Sequence, residues 1–186
     1  FHRTYYHPSN SYIYLYGNMD MEEKLAFLDE HYLSHFDYLD VDSVIQEQKE
    51  FGACRDVTLE YPVAENEGEE DNTYLSYNMV VGNAADSQMA MAFEVLDYAL
   101  LSAPGAPLKQ ALLDVKAGKD VYGSYDDGIL QPYFTVIAKG SNPDRKEEFV
   151  SVIRQVLGDI VKNGIDKKAV EAGINYFEFR YREADF

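Results

Sequence analysis

Residues Asp120–Gly140 read "DVYGSYDDGILQPYFTVIAKG", and this stretch decides the fold class. β-branched and aromatic residues fill both arms, "DVYGSYDDG" and "QPYFTVIAKG", and Asp127-Gly128 between them is a dipeptide suited to a chain reversal. Two antiparallel strands are therefore expected. A second pair is predicted upstream. In "DVTLEYPV", residues 56–63, Val57, Leu59, Tyr61 and Val63 alternate with Asp56, Thr58 and Glu60, and Pro62 marks a strand end or edge. In "TYLSYNMVVG", residues 73–82, Leu75, Tyr77, Met79 and Val81 share one face. The polar "AENEGEEDN" joins the two.

Helices separate and follow these strands. Met89, Phe93, Leu96 and Leu100 recur at helical spacing across Asp86–Ser102, "APGAP" breaks the run, and a shorter helix is expected over Leu108–Lys116. Downstream, Asn142 is the expected cap and Pro143 suits a first turn. Phe149, Val152, Ile153, Val156, Leu157 and Ile160 line one face until Asn163-Gly164, and Asp166 opens a last helix reaching about Glu183. Nearer the start, "SYIYLYG" alternates Ile13 and Leu15 with Tyr12, Tyr14 and Tyr16, as a strand covered on both faces would. Asp20 then caps a helix carrying Leu25, Leu28, Tyr32 and Phe36. The segment from Asp37 to Gly52 is too polar for a core element and reads as a connector. The predicted order is βα, connector, ββααββαα: an α+β two-layer sandwich, a mainly antiparallel sheet with helices on one face.

The 186 residues are 46% apolar, enough for one core. A net charge of −17 excludes a nucleic-acid backbone as partner, because it repels phosphate, and favours basic peptides. Such a charge also serves solubility alone. The single cysteine, Cys54, allows no internal disulfide and is expected as a structural residue entering a strand, with a reducing cytoplasm as the default setting. No apolar run is long enough to span a membrane, and no signal peptide is evident. The absence of an initial methionine raises the expectation that targeting signals lie upstream of Phe1.

Candidate chemistry is sparse. His31 and His35, four apart on the predicted helix beside Glu30, could share a zinc ion, but "HYLSH" lacks the glutamate that a metallopeptidase helix places before its second histidine. Two exposed histidines are the blander reading. There is no Gly-x-Ser-x-Gly elbow, no cysteine signature around Cys54, and no phosphate loop at Gly118. The acids of Glu65–Asn72 lack the ligand spacing of a calcium loop and read as a solvated hairpin tip. With so few basic residues among them, the 16 tyrosines and 10 phenylalanines read as core or interface, not as base-stacking platforms.

The opening "FHRTYYHPSNSYIYLYGNMDMEEKLAFLDEHYLSHF" resembles the tract that follows the catalytic domain in the pitrilysin/insulinase family of zinc metallopeptidases, presequence-protease branch. "LLSAPGAPLKQALLD", "GILQPYFTVIAKG" and "AVEAGINYFEFRYRE" resemble further tracts of that branch at steady spacing, so the likeness runs from Phe1 to Phe186. Asn18 departs from the branch's usual Tyr-Gly-Asp ending. The resemblance implies four similarly folded domains in two halves enclosing a chamber, with an inverted His-x-x-Glu-His zinc motif in the first. This chain contains no such motif, and "RYRE" from Arg180 only looks like the Arg and Tyr supplied by the second half.

The expectation is therefore a non-catalytic second domain, residues 41–186, preceded over 1–40 by the strand-helix tail of the catalytic domain. By position, the resemblance assigns substrate binding to a backbone edge strand over Gly118, Lys119, Asp120, Val121, Tyr122, Gly123, Ser124 and Tyr125, pairing with a peptide by β-augmentation. Gly118 and Gly123 would leave the backbone accessible, or serve only as bends. Zinc would belong to the parent enzyme, not to this chain, and the partners would be peptides and the other domains of the same chain. The competing expectations are a structural, assembly or peptide-binding domain of an inactive family member, and a free-standing hydrolase using His31 and His35.

Overall fold

The computed structural model describes residues 1–64, 66 and 68–183. At its centre lies the expected hairpin. Strands β2 (Asp120–Asp126) and β3 (Tyr133–Ser141) run antiparallel, with Val121 opposite Ala138, Gly123 opposite Val136 and Tyr125 opposite Phe134. The reversal is longer than a two-residue turn: Gly128 N donates to Asp126 Oδ1 at 3.0 Å, and residues 129–132 complete it. Strand β1 (Thr73–Val80) adds antiparallel to the other side of β3, placing Leu75 opposite Ala138, Tyr77 opposite Val136 and Met79 opposite Phe134. The sheet order is β1-β3-β2. Because side chains alternate, one face carries Leu75, Tyr77, Met79, Phe134, Val136, Ala138, Val121 and Tyr125 into the core.

The helices cover that face. Helix α3 (Ser87–Asp97) starts where Asp86 Oδ1 accepts from Met89 N at 3.0 Å. It runs on as a π-helical turn, Tyr98–Ser102, that buries Ala99, Leu100 and Leu101. Ala103 is extended before Pro104, as a residue preceding proline must be, which ends the helix. Pro107 opens α4 (Pro107–Asp114), whose Leu108 and Leu112 are completely buried. In α5 (Lys146–Asn163), Phe149 and Ile153 fall on the core face one turn apart, and Gly164 at a φ of 88° stops it. The last helix, α6 (Lys167–Arg182), is capped by Asp166 and packs on α3 and the π-turn. The result is an α+β domain with an antiparallel sheet and a helical layer.

The chain divides into two compact units, 1–47 and 48–186. The first holds α1 (His2–Tyr5) and α2 (Met21–His31), with Asp20 Oδ1 accepting from Glu23 N at 3.0 Å as the expected cap. It contains no strand among the described residues. Ser11–Tyr16 therefore corrects the expectation: Tyr12, Tyr14 and Tyr16 stand exposed and the segment pairs with nothing. An alternating segment becomes a strand only when a neighbour satisfies its backbone groups.

The same correction applies in the second unit. Residues 56–63 form no ladder, leaving Val57 and Leu59 exposed, and the predicted hairpin with residues 73–82 is replaced by pairing of β1 with β3. Tyr61 donates its hydroxyl to Asn72 O and sets its ring edge-on to Tyr74 at 6.0 Å. Cys54 enters no strand and its thiol is exposed. Asn142 precedes the turn Pro143–Arg145 but caps nothing, because its side chain is committed to Asp71. Glu65 and Glu67 of the acidic loop lie outside the described residues.

Candidate peptide-binding edge

Strand β2 lies at the end of the sheet order, with β3 on one side and no strand on the other among the described residues. Such an edge leaves backbone groups open as a template for another extended chain, although here Val121 N is already taken by Asp120 Oδ1. Asp120 to Tyr125 lie on β2, and Gly118 and Lys119 lead into it. Six of the eight predicted residues thus lie on the edge strand, while Gly118 and Lys119 precede it, with Lys119 N bonded to Lys139 O at 2.8 Å.

Their side chains divide by face. Val121 is fully buried, and Tyr125 stacks on Phe93 with ring centroids 5.4 Å apart. Asp120, Tyr122 and Ser124 look outward and are exposed. Asp120 Oδ1 accepts from Val121 N at 2.8 Å and from Lys109 Nζ at 3.5 Å. Lys119 spreads its stem over Gly140, where φ is 68°, and its ammonium lies 3.2 Å from Asp71 Oδ2.

Both glycines have an intramolecular reason. A Cβ at Gly118 would stand 2.7 Å from Lys139 O, so glycine is what allows the lead-in to approach β3. At Gly123 a Cβ would collide with Asp97 Oδ1 and Leu101 Cδ1, so glycine is what lets β2 settle onto the end of α3. Backbone accessibility at the edge comes from strand order, not from these residues.

Asp97 is the neighbour that sequence reading missed. Its Oδ2 accepts from Ser102 Oγ at 3.1 Å, while Oδ1 is buried with no hydrogen-bond partner among the described residues. Burial pushes its carboxyl above the ordinary range, and the Ser102 hydroxyl only partly opposes this. The Tyr125 hydroxyl is likewise buried without a partner, and burial together with Asp127, Glu94 and Asp86 raises its pKa. On α6, Tyr181 donates to Glu94 Oε2 at 2.5 Å and is pushed up to about 12, first by that bond and then by burial. Asp71, in contrast, is lowered by the Asn142 amide and the Lys119 ammonium.

The histidines do not assemble a metal site. Tyr32, with φ −137° and ψ −66°, ends α2 directly after His31, and His35 lies in a separate 3-10 turn, Leu33–His35. His31 packs instead against Phe27, ring centroids 4.5 Å apart. No group of three or more His, Cys, Asp or Glu that could hold a metal occurs among the described residues, so the donor set does not fit the zinc of the resembled enzymes. No described helix is long and apolar enough to cross a membrane.

The fold is an α+β layer pair with β2 at one edge of its sheet. Comparison with known proteins gives its family. The Peptidase M16 inactive domain family matches residues 1–177. Protein HypA of Clostridium perfringens is 46% identical over this whole chain, which covers 19% of that protein. The chloroplastic/mitochondrial presequence protease 1 of Arabidopsis thaliana is 33% identical over 98% of the chain, 17% of that protein, and the mitochondrial presequence protease of Xenopus laevis is 27% identical over 98% of the chain, 18% of that protein. The chain thus spans about a fifth of the length of these relatives. The crystal structure of an inactive peptidase domain, from a Bordetella parapertussis protein described as a zinc protease, superposes with a TM-score of 0.52 at 14% identity, covering 60% of this chain and 62% of that one. The chain belongs to the Peptidase M16 inactive domain family, and is a non-catalytic domain of that metallopeptidase family.

Proposed function

We propose that the chain forms a wall of the substrate chamber of a zinc-dependent metalloendopeptidase, whose zinc site lies in another part of the parent protein. Within it, residues 41–186 form the second domain and residues 1–40 the tail of the catalytic one. The β2 edge carries the reading: as the last strand of the sheet order it can take a peptide as a fourth strand. The net charge of −17 favours basic peptides, an attraction that salt weakens beyond a Debye length of ~8 Å. Neither nucleic acid nor membrane enters this reading. The setting proposed is the cytoplasm; the organellar names of the plant and frog relatives support an organelle as the competing one.

The second reading is a structural or peptide-binding domain of an inactive family member. The family's own description, an inactive domain, supports it as well. The two separate in the full-length protein. Chelation abolishes peptide cleavage under the first reading, whereas the second predicts binding without cleavage.

β-Augmentation has its own test. A peptide strand pairs through alternate residues, so two versions of one arginine-rich peptide, N-methylated at odd or at even positions, should differ. One should lose about tenfold or more in affinity, the equivalent of about 1.4 kcal/mol, and the other should bind as the parent does. Equal binding by both versions would remove β2 from the proposal.

A further inference from the structure

Asp97 is the last residue of α3, and the π-turn after it brings Ser102 over its carboxyl: Ala103 N donates to Tyr98 O at 2.7 Å, and Ser102 Oγ to Asp97 Oδ2 at 3.1 Å. π-Turns of this kind cluster at functional positions. The other oxygen, Oδ1, is buried, unpartnered and directed at Gly123 of β2 so closely that no side chain fits between them. We propose that Asp97 is a protonation-dependent seat for β2: as a neutral acid it lets the strand lie on the α3 terminus, and as a carboxylate it loosens that seat.

The physical cause is the missing partner. A buried carboxylate oxygen with no donor is costly, and the cost is relieved either by protonation or by admitting water. β2 is the element able to give way, because only β3 holds it laterally. No charged group offers a third route. α3 itself carries one other ionisable side chain, Glu94, and Asp86 caps its start, both acids. From β2 and its turn come Tyr125, Asp126 and Asp127; Asp126 accepts from the Tyr133 hydroxyl at 2.9 Å. From the π-turn, Tyr98 stacks on Tyr176 of α6, and α6 also brings Arg180 and Tyr181, the latter bonded to Glu94. On α4, Lys109 is turned toward Asp120. None of these bonds to Asp97 among the described residues.

Asp97 is therefore a positioning residue. The consequence for peptide capture rests on the proposed role of the β2 edge; the seat itself does not. The test needs no peptide, so its failure is distinct from failure of that role. In the full-length protein, amide exchange across Val121–Asp126, corrected for the intrinsic pH dependence, should accelerate about tenfold as pH rises through the Asp97 titration and level off above it. Asp97→Asn, which keeps the shape and removes the charge, should hold the slow acid-side exchange at neutral pH. Ser102→Ala, which removes the bond favouring the carboxylate, should move the acceleration to higher pH. Parallel pH profiles for wild type and Asp97→Asn, or an unmoved midpoint in Ser102→Ala, would overturn the proposal. If Asp97→Asn does not fold, the Ser102→Ala midpoint decides alone.

Discussion

Asp71 and Asn142 bond to each other twice: Asn142 Nδ2 donates to Asp71 Oδ1 at 2.7 Å, and Asp71 N donates to Asn142 Oδ1 at 2.9 Å. The pair ties the approach to β1 to the exit from β3, and it holds Asp71 at a φ of 58°, a left-handed conformation that aspartate tolerates better than most residues. Lys119 adds its ammonium from the approach to β2. All three strands of the sheet are thus gathered at one end.

The pair makes an acid-side prediction. Asp71 has its pKa lowered chiefly by Asn142, so it favours the folded state above the unfolded carboxylate pKa, and this contribution disappears as pH falls through the lower, folded value. Asn142→Ala should leave the protein losing stability at a higher pH than wild type on the acid limb. Superimposable acid-unfolding curves followed by circular dichroism would count against the pairing.

Gly123 and Gly158 should respond oppositely to the same change. Gly123→Ala places a methyl group on Asp97 and Leu101 and should destabilise by about 1–3 kcal/mol through overpacking. Gly158 lies inside α5, and a methyl group added there would meet nothing within 4 Å, so Gly158→Ala should stabilise by about 0.5–1 kcal/mol. Urea midpoints of the two variants measure both signs. A neutral Gly123→Ala would mean that β2 does not sit on the α3 terminus.

Phe149 is 1% exposed where α5 meets the core, and Phe149→Ala should cost about 3–5 kcal/mol. Ile153→Val, one turn on, should cost only about 0.5–1.5 kcal/mol. Chemical denaturation would show whether that ranking holds.

Tyr181 gives an alkaline readout of the α3–α6 contact. Its hydroxyl, raised to about 12 by the bond to Glu94, should ionise nearer the ordinary tyrosine value in Glu94→Gln. Ultraviolet titration against a Tyr181→Phe control isolates the signal. An unchanged titration would place the cause elsewhere than Glu94.

Where sequence pattern and packing agree, the fold was legible. β2, β3 and α5 each carry a full period of apolar residues with a turn or cap at the ends, and each occurs nearly where expected. Residues 11–16 and 56–63 alternate just as clearly, yet alternation states which face could be buried, not which edge supplies the hydrogen bonds. His31 and His35, four apart in sequence, do not share a helix face because Tyr32 leaves the helix between them, and both are exposed. For the candidate site, Asp120–Tyr125 was legible as a strand, while the lead-in at Gly118 and Lys119 and the support beneath the strand were not. Asp97 looks like any polar residue of an amphipathic helix until the π-turn and Gly123 enclose it, and Asn142 looks like a cap until Asp71 claims its side chain. Long-range partners of that kind leave no periodic trace.

Capture of peptide by β2 is tested most directly by amide exchange of the full-length protein with and without a basic peptide, under chelation so that nothing is cleaved. Slower exchange confined to the stretch Asp120–Asp126 and its immediate lead-in is the predicted result. A peptide that binds while those amides exchange at their unliganded rates would contradict it.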